Sequence, residues 1–394
     1  MADPELRKLS YYFTSSKRKG REGLPLMSVT MHNGLVRRED LERDKERKTK
    51  SSLEAEEHLL VEPGDIAYNM MRMWQGALGL AAEPANVSPA YGVMRPKPTV
   101  DPRFAAHWFK SEYGLYMLWA YSYGLTNDRL RLYPKDFLEI PVRWPDRPSQ
   151  RRVAAVLDDF DNLVANAEAV VSAKHNRLTW LTDKLVFSAN EWACIEDLAD
   201  QTSERAGSKF ENYTVFSCTK HDGLVHSDEY FSRTVYGADR SDYKIVRPLD
   251  LAYATNHLEE GSIGLNTFAN AGVVSPMYTV FRPHGIDPRY LIAVLKTERL
   301  RQEFERRTPA SVNRRGGLRW ADFAETEIPC PQDAEQKHVL ERLETAQKDL
   351  QQSQSLLAGL RAQKRGLMKK LLTGEWRVPE SIDALLPKAE ERAA

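Results

Sequence analysis

The chain has 394 residues, with 56 Lys and Arg against 56 Asp and Glu, so its formal net charge at pH 7 is zero, and 42% of its residues are hydrophobic. These values are typical of a globular protein and argue against intrinsic disorder. No apolar run approaches the roughly 20 residues of a membrane span, and the N-terminus has no signal-peptide pattern. We therefore expect a cytoplasmic protein without a membrane partner, long enough for two or more domains.

Three cysteines, Cys194, Cys218 and Cys330, lie far apart in the sequence. Their number is odd, and no pair has the spacing of a metal site. We expect reduced, buried thiols and no bound metal.

The first candidate site along the chain is a basic tract, SSKRKGR at 15–21, without an acidic residue. Arginine and lysine in such a tract neutralise DNA phosphates. A solvated basic surface has the same composition, and the sequence leaves both interpretations open. The candidates in this tract are Lys17, Arg18, Lys19 and Arg21.

The segment 67–80, AYNMMRMWQGALGL, belongs to a pattern that occurs twice. AYATNHLEEGSIGL at 252–265 matches it without a gap, and VSPAYGVMRP at 87–96 returns as VSPMYTVFRP at 274–283. The matches keep their order, which predicts two similar domains related by an approximate internal two-fold. Short apolar runs such as DIAYNM, YGVMRP and LEIPV, bounded by Pro and Gly, indicate strands in a mixed α/β domain.

The two copies share the residues at the ends of this segment but differ in the residues between them. Between a shared Ala-Tyr and a shared glycine, most residues are replaced. Two readers of different base sequences would differ in this way, and so would a surface loop under relaxed drift. The candidates for DNA contact are Asn69, Arg72, Trp74 and Gln75 in the first copy and Thr255, Asn256 and His257 in the second.

Further along, VDPRF at 100–104 and IDPRY at 286–290 each precede about twenty residues of helical character. A second basic segment then follows in both copies, TNDRLRLYPKDFLEIPV from 126 and VNRRGGLRWADFAETEIPC from 312. Its arginines can neutralise phosphates or bind guanine in bidentate fashion, and recurrence at matched positions favours a shared role. The candidates are Arg129, Arg131 and Lys135 in the first copy and Arg314, Arg315 and Arg319 in the second.

Each half ends in a long charged helix, predicted from about Ser149 to Phe187 and from about Glu335 to Leu372. Apolar residues recur at alternating spacings of four and three, which is the 3.5-residue period of a coiled coil. The first seam contains Val153, Leu157, Phe160, Val164, Val171, Leu178, Leu181 and Leu185, and the second contains Val339, Leu343, Leu350, Leu357, Leu360, Leu367 and Leu371.

An amphipathic helix packed on its own domain produces a similar stripe over short lengths. Each of these helices would be about 57 Å long, too long for one small domain to cover. We therefore predict that the two helices pack against each other as an antiparallel coiled coil within the chain. Two polar seam residues, Lys174 and Lys364, are expected to fix its register.

A search for catalytic motifs finds none. The sequence has no phosphate-binding GxxxxGK[ST] loop, no strand-flanked GxGxxG and no HExxH. The acidic cluster Asp158, Asp159 and Asp161 could suggest a metal site, but it lies mostly off the helix seam and we interpret it as a solvated face. We expect no catalytic residue and no metal site in this chain.

The combination of these motifs resembles the specificity subunit of type I restriction-modification systems over essentially the whole chain. The segment from Arg147, RPSQRRVAAVLDDFDNLVANAEAVVSAKHNRLTWLTDKLV, is similar to the family's central conserved region. The segment from Ala334, which ends in KKLLTGEWRV, is similar to its C-terminal conserved region. PGDIAYNMMRMWQGALGL, followed by VSPAYGVMRP, is similar to a common target-recognition-domain pattern.

The resemblance implies a fold of two target recognition domains separated by two long helices. On that basis we expect domains at 1–148 and 188–334, helices at 149–187 and 335–372, and a tail at 373–394. The second domain departs from the pattern because PLDLAYATNHLEEGSIG lacks the glycine of PGD. Contacts inferred for Arg72 or Trp74 therefore do not transfer to His257 or Glu259.

The resemblance also implies a non-catalytic subunit that reads a split site in double-stranded DNA, with the helices as a ruler, in defence against foreign DNA. Two copies of a methylation subunit would bind S-adenosylmethionine and methylate adenine, and restriction and motor subunits would use ATP and Mg. No cofactor is expected in this chain. The alternatives are a subunit of a methyltransferase-only or fused restriction-methylation system, and a coiled-coil adaptor that does not bind DNA.

Overall fold

The structure is a computed structural model, and it describes residues 4–41, 53–126, 129–308 and 317–386. It divides into two compact units. Unit 1 comprises Met1–Ala167 and Leu356–Ala394, and unit 2 comprises Glu168–Ser355. The predicted contact residues Arg314 and Arg315 lie outside the described residues, and the predicted domain boundaries stay a prediction.

The strands of unit 1 form two four-stranded sheets, β2-β9-β6-β7 and β4-β3-β8-β5, and a two-stranded pair, β1-β10. All pairs are antiparallel except β3 with β8. The bounds are β1 Arg7–Lys8, β2 Phe13–Ser15, β3 Leu26–Thr30, β4 Gly34–Arg37, β5 Leu59–Val61, β6 Ile66–Asn69, β7 Leu78–Leu80, β8 Ala85–Val87, β9 Tyr91–Pro96 and β10 Pro141–Val142.

Three short helices complete the globular part of unit 1 within its described residues: α1 (Pro102–Phe109), α2 (Glu112–Ala120) and α3 (Pro134–Glu139). The predicted stretch of about twenty residues of helical character after VDPRF consists of two helices, because Ser111 caps a new helix by accepting a hydrogen bond from the Gly114 amide. The prediction of a strand over LEIPV is wrong for its first three residues, since β10 begins at Pro141. Leu138 and Glu139 end α3, whose first position is Pro134, a residue favoured at helix starts, and Ile140 is its C-cap.

Unit 2 repeats this arrangement strand for strand. Its sheets are β12-β19-β16-β17 and β14-β13-β18-β15, with β11 paired to β20 and with β13 and β18 parallel. The predicted internal repeat is thus present in the strand order. The bounds are β11 Trp192–Cys194, β12 Ala199–Thr202, β13 Thr214–Thr219, β14 Gly223–His226, β15 Lys244–Val246, β16 Leu251–Ala254, β17 Ile263–Leu265, β18 Gly272–Val274, β19 Tyr278–Pro283 and β20 Glu327–Pro329.

The long helices are α4 (Arg147–Val186) and α9 (Asp333–Leu372), each of 40 residues. The remaining helices of unit 2 are α5 (Ser227–Tyr230), α6 (Pro288–Leu295), α7 (Glu298–Arg307) and α8 (Trp320–Ala324). As in unit 1, the helical stretch after IDPRY is broken. Thr297 caps α7 by accepting a hydrogen bond from the Leu300 amide.

The two long helices pack together as the predicted coiled coil. Between residues 161 and 180 of α4, the side chains that are not fully exposed are those of Val164, Ala167, Val171, Lys174 and Leu178. Between residues 341 and 367 of α9 they are those of Leu343, Ala346, Leu350, Ser353, Leu357, Leu360, Lys364 and Leu367. These sets alternate spacings of four and three, as a two-helix seam requires.

The pairing is antiparallel in each unit. In unit 1, Leu157 near the start of α4 shares a core with Leu371 near the end of α9, and Lys364 forms an ion pair with Asp161. In unit 2, Lys174 contacts Asp349 at 2.7 Å and the Ser353 hydroxyl at 2.8 Å. Both polar seam residues thus contact the opposite helix.

The two units have separate hydrophobic cores, each of which includes one face of the long helices. In unit 1, Phe13, Phe109, Phe137 and Trp144 stack edge to face or at a tilt. In unit 2, Tyr253, Phe281, Phe304 and Phe323 do the same. Aromatic clusters of this kind add to the stabilisation that comes from burial alone.

Leu249 adopts a left-handed backbone conformation at φ 68°, where unit 1 has Gly64 at φ 89°. The turns are otherwise alike, since the Leu249 amide donates to the Asn266 carbonyl and the Gly64 amide donates to the Ala81 carbonyl, both at 2.9 Å. The second copy therefore has leucine in place of glycine at this position, but the turn is the same.

The cysteines are free thiols, but Cys194, Cys218 and Cys330 are half-buried rather than buried. Burial raises the pKa of Cys218 to about 12. Within the described ranges, no helix has the length and apolar character that a membrane-spanning segment needs.

Candidate nucleic-acid interface

A tight turn follows β6 in unit 1, and we call residues 69–76 turn A. The Arg72 amide donates to the Asn69 carbonyl at 3.0 Å, the Gly76 amide to the Met73 carbonyl at 2.8 Å, and the Asn69 amide to the Ala77 carbonyl at 3.1 Å. Met73 is fully buried, and Gly76 has a φ of 89°. The turn is thus held by main-chain bonds, one buried side chain and one left-handed glycine.

Residues 254–261 follow β16 in unit 2 and form the corresponding turn B. The His257 amide donates to the Ala254 carbonyl at 3.1 Å, the Gly261 amide to the Leu258 carbonyl at 2.8 Å, and the Ala254 amide to the Ser262 carbonyl at 3.0 Å. Leu258 is fully buried and Gly261 has a φ of 92°. The two turns share one backbone frame.

Within this frame, some candidate side chains form hydrogen bonds inside the turn, and others are free to contact a ligand. In turn A, Asn69 accepts a hydrogen bond from the Met71 amide, and the Trp74 indole N–H donates to the Met71 carbonyl at 3.0 Å. Both side chains therefore help to hold the turn. Arg72 and Gln75 are exposed, and they are the better candidates for contacts outside the protein.

Turn B presents different chemistry. Thr255 donates to the Met277 carbonyl at 3.2 Å, and His257 lies 3.3 Å from Glu260. Ligand atoms of His257, Glu259 and Glu260 lie within 4.8 Å of one another. Glu260 is exposed and Glu259 is half-buried. These carboxylates give turn B a local negative charge, which disfavours phosphate and favours a hydrogen-bond donor such as the cytosine amino group.

The second basic segment lies directly beside each turn. The Leu132 amide donates to the Met70 carbonyl of turn A, and the Leu318 amide donates to the Thr255 carbonyl of turn B, both at 2.9 Å. A side chain at Gly317 would clash with Thr255 and Asn256, so the glycine permits this approach. The segment therefore places its exposed basic residues next to the turns; these are Arg129, Arg131, Lys135 and Arg319.

The basic tract at 17–21 is largely neutralised. Arg18 lies 2.6 Å from Glu62, Arg21 lies 3.9 Å from the same carboxylate, and Lys19 lies 3.8 Å from Glu56. The hydrogen bond from Arg18 holds the pKa of Glu62 below its usual value. In the described part of the chain only Lys17 of this tract is exposed without an ion pair. The tract thus offers less free positive charge than its sequence suggests.

The interpretation of Asp158 as part of a solvated face is wrong. Asp158 contacts Arg103 at 2.9 Å and His107 at 2.8 Å, and so joins α4 to α1. Burial alone would favour its neutral form, but the His107 and Arg103 contacts outweigh burial and lower the pKa of Asp158. Asp159 is exposed, as expected. Asp161 pairs with Lys364.

Sequence reasoning missed a group of exposed aromatic and aliphatic side chains beside turn A. Tyr116 is 57% exposed, Trp119 47%, Tyr123 61% and Leu125 103%. The 14 residues 113–126 contain no charged residue. This composition was the available signal, but an uncharged helix is normally interpreted as a buried one.

No protein-family model matches the chain, and the search of curated proteins finds no match. Solved structures do match. The S subunit of a type I restriction-modification system from M. genitalium has a TM-score of 0.53 at 14% identity, over 93% of this chain and 95% of that one. A chain from a structure on complex assembly and conformational transition of the type I R-M system has a TM-score of 0.56 at 13% identity, over 94% and 98%.

The HsdS subunit from Thermoanaerobacter tengcongensis is similar over 95% of this chain and 98% of its own, at 14% identity and a TM-score of 0.48. The two matches with TM-scores above 0.5 confirm the predicted architecture of two similar domains and two long antiparallel helices at the level of the fold. The chain has the fold of the S subunit of type I restriction-modification systems.

Proposed function

We propose that this chain is the DNA-specificity subunit of a type I restriction-modification system, and that its two units read the two halves of a split site in duplex DNA. The observation that carries the proposal is the pair of turns A and B. They keep one backbone frame and present different donors and acceptors, which is what two readers of different base sequences need. Drift in an idle surface loop would not require the frame to be kept.

In this proposal each unit divides its contacts between bases and phosphates. Arg72 and Gln75 of turn A, and Asn256 and His257 of turn B, contact base edges. The neighbouring basic residues Arg129, Arg131, Lys135 and Arg319 contact phosphates, which positions the protein without reading sequence.

The chain itself would be non-catalytic. Among the described residues, three charged groups on the long helices have structural roles: Asp158 joins two helices, and Lys174 and Lys364 join α4 to α9. Partner subunits would supply S-adenosylmethionine for adenine methylation and ATP with Mg for cleavage. Apolar side chains on the outside of the long helices, such as Leu163 at 48% and Leu356 at 62% exposure, are the proposed docking sites for the methylation subunits.

The first test is a genome-wide map of methylated adenines in the host, with and without this gene. We expect a split motif with a fixed gap to disappear on deletion. An unchanged map, with the methylation subunit expressed and active, would overturn the proposal in favour of an adaptor. Co-purification from the host separates the remaining alternatives, because a methyltransferase-only system would bring down no motor subunit and a fused enzyme would bring down one polypeptide with both activities.

A second test measures DNA binding by the assembled complex at increasing salt. Phosphate contacts release counterions, so log K should fall linearly with log salt concentration. Charge removal at Arg131 should reduce that slope by about one, and at Arg319 likewise. Binding without salt dependence would contradict the proposed phosphate contacts.

A further inference from the structure

The two units differ on the outer face of the helix that precedes the basic segment. In α2 of unit 1 this face carries Tyr116 and Trp119, whose ring centroids are 6.1 Å apart. At the same places in α7 of unit 2 stand Gln302 and Glu305, both exposed. The inner faces are alike, since Leu118 and Phe304 are both buried in their cores.

We define the aromatic face as Tyr116, Trp119, Tyr123 and Leu125. Leu125 is 103% exposed, and the other three are about half exposed. Exposed apolar groups of this density are uncommon on a protein surface that contacts only water, and they mark an interaction site.

The difference between the units indicates which partner this is. A partner that binds in two copies to two similar units should meet similar chemistry on both. In the described part of unit 2, Tyr116 and Trp119 have no aromatic counterpart, since Gln302 and Glu305 stand at their places. The two halves of a split DNA site, in contrast, differ in sequence, so their readers are expected to differ too.

The surroundings of the aromatic face are complementary to DNA. Tyr123 and Arg131 form a two-way main-chain bridge, with N to O distances of 2.9 and 2.8 Å, and Arg131 is exposed. Within the described residues, neither Arg129 nor Arg131 forms an ion pair. The face is therefore charge-free but adjoins unneutralised arginines.

The aromatic face is also continuous with turn A. Leu115, in the same helix, lies so close to turn A that its Cδ2 would be 3.3 Å from a Cβ placed on Gly76. The residue after Arg131, Leu132, is hydrogen-bonded to Met70 of turn A. A ligand that contacts Arg72 therefore lies beside this face.

We infer that the aromatic face packs against the half-site that unit 1 reads, with aromatic rings against bases and sugars and with Leu125 against a base step. This inference rests on the proposed function. Aromatic side chains contact bases of any sequence, and exposed leucines serve as wedges that unstack a step and bend the duplex. Unit 1 would thus use apolar contacts and shape where unit 2 uses polar ones.

The experiment compares the wild-type complex with a complex that carries Y116S, W119S and L125S. Both are titrated onto a duplex with the methylated motif and onto duplexes with one half-site altered. We expect the triple variant to bind the intact site at least about tenfold more weakly. The slope of log K against log salt should not change, because no phosphate contact is lost. The loss should be smaller when the half-site of unit 1 is already altered, because turn A then no longer holds unit 1 in register on that half-site.

The controls are L385S and Y230S, which remove exposed apolar side chains outside the aromatic face, at 82% and 48% exposure. Both should bind as wild type. If the triple variant does not fold, L125S alone serves, since a fully exposed side chain contributes nothing to the core, and it should weaken binding about threefold or more.

Three other results would overturn the inference. Wild-type affinity of the folded triple variant would show that DNA does not contact this face. Failure of the variant to assemble with the methylation subunits would show that the face binds protein. A wild-type complex without affinity for the motif would overturn the proposed function, and this inference with it.

Discussion

The backbone amide of Asp101 donates a hydrogen bond of 2.9 Å to Oε1 of Gln150, a side chain that is fully buried. Asp101 caps the start of α1, and the other end of the Gln150 amide donates to the Pro145 carbonyl at 2.7 Å. One side chain thus fixes the start of a domain helix to the start of a long helix. Unit 2 has the same device in Asp287, Gln336 and Pro331.

Replacing either glutamine by leucine should destabilise its own unit. Q150L and Q336L each leave a main-chain amide and a main-chain carbonyl without a partner, one of them buried and the other partly buried. We expect each variant to lower the free energy of unfolding by about 1–3 kcal/mol. Urea denaturation measures the change. Q352L, at an exposed position of α9, is the control and should differ from wild type by less than about 0.5 kcal/mol. Equal stability of Q150L and Q352L would contradict the proposed role.

Leu249 should be a point of backbone strain that glycine relieves. A left-handed conformation costs a leucine roughly 1–2 kcal/mol, and the greater freedom of glycine in the unfolded chain offsets about 0.5–1 kcal/mol of that. Since Leu249 is 50% exposed, little burial is lost. We expect L249G to gain about 0.5–1 kcal/mol of stability by urea denaturation, and the reverse change G64L to lose stability. A less stable L249G would show that the side chain matters more than its backbone.

The carboxylate of Asp158 should make stability depend on pH in the acidic range. Its pKa is lower in the folded protein than the value of about 3.9 in an unfolded chain, so the stabilisation is complete above about pH 4 and is lost as the pH falls through the folded pKa. D158N should therefore be less stable than wild type at pH 7, with a difference that shrinks below pH 4.

The effect should be about 1 kcal/mol or less, because the Asp158 side chain is 35% exposed and solvent screens its ion pairs. Thermal unfolding across pH 3–7 measures it. D159N changes the exposed neighbour and should follow the wild-type curve. A constant difference between D158N and wild type at every pH would rule out the charge as the cause.

Exchange of the exposed side chains of turn A for those of turn B should change the DNA sequence that the complex recognises and leave the fold intact. The variant combines M71N, R72H and Q75E. Loss of a bidentate contact from Arg72 should cost about 1–3 kcal/mol at one base position of the half-site read by unit 1. Methylation mapping should show an altered first half-site and an unchanged second one.

The matched control for this exchange is R37H, because Arg37 is also exposed but pairs with Glu83 at 3.0 Å, away from the turns. It should leave the motif as it is. If the turn exchange leaves the motif unchanged as well, turn A does not read bases.

The elements that could be predicted from the sequence are those that local patterns determine. The long helices were expected at 149–187 and 335–372 and occur at Arg147–Val186 and Asp333–Leu372. They could be predicted because a heptad repeat is visible in the sequence of each helix and indicates that the helix packs against another. The order of the strands could not be predicted. The parallel pairing of β3 with β8, for example, joins residues about 60 positions apart, and no local pattern records it.

The sequence predicted where the candidate site lies, but it did not predict which of its side chains are free to contact a ligand. The repeat identified turns A and B, but it could not show that Trp74 is hydrogen-bonded within its own turn or that Arg18 is neutralised by Glu62. These are contacts with one neighbour, and sequence spacing does not reveal them. The aromatic face was missed because the helix that carries Tyr116 and Trp119 has the composition of a buried helix.

The frame shared by turns A and B also bears on how such a protein can change. Main-chain bonds hold each turn, together with a buried Met73 or Leu258 and a left-handed Gly76 or Gly261, and Asn69 and Trp74 add side-chain bonds in turn A. Positions such as 71, 72 and 75 can then vary at little cost in folding stability. Under the proposed function, a new recognition sequence can arise by point mutation, one half-site at a time, while the scaffold stays the same.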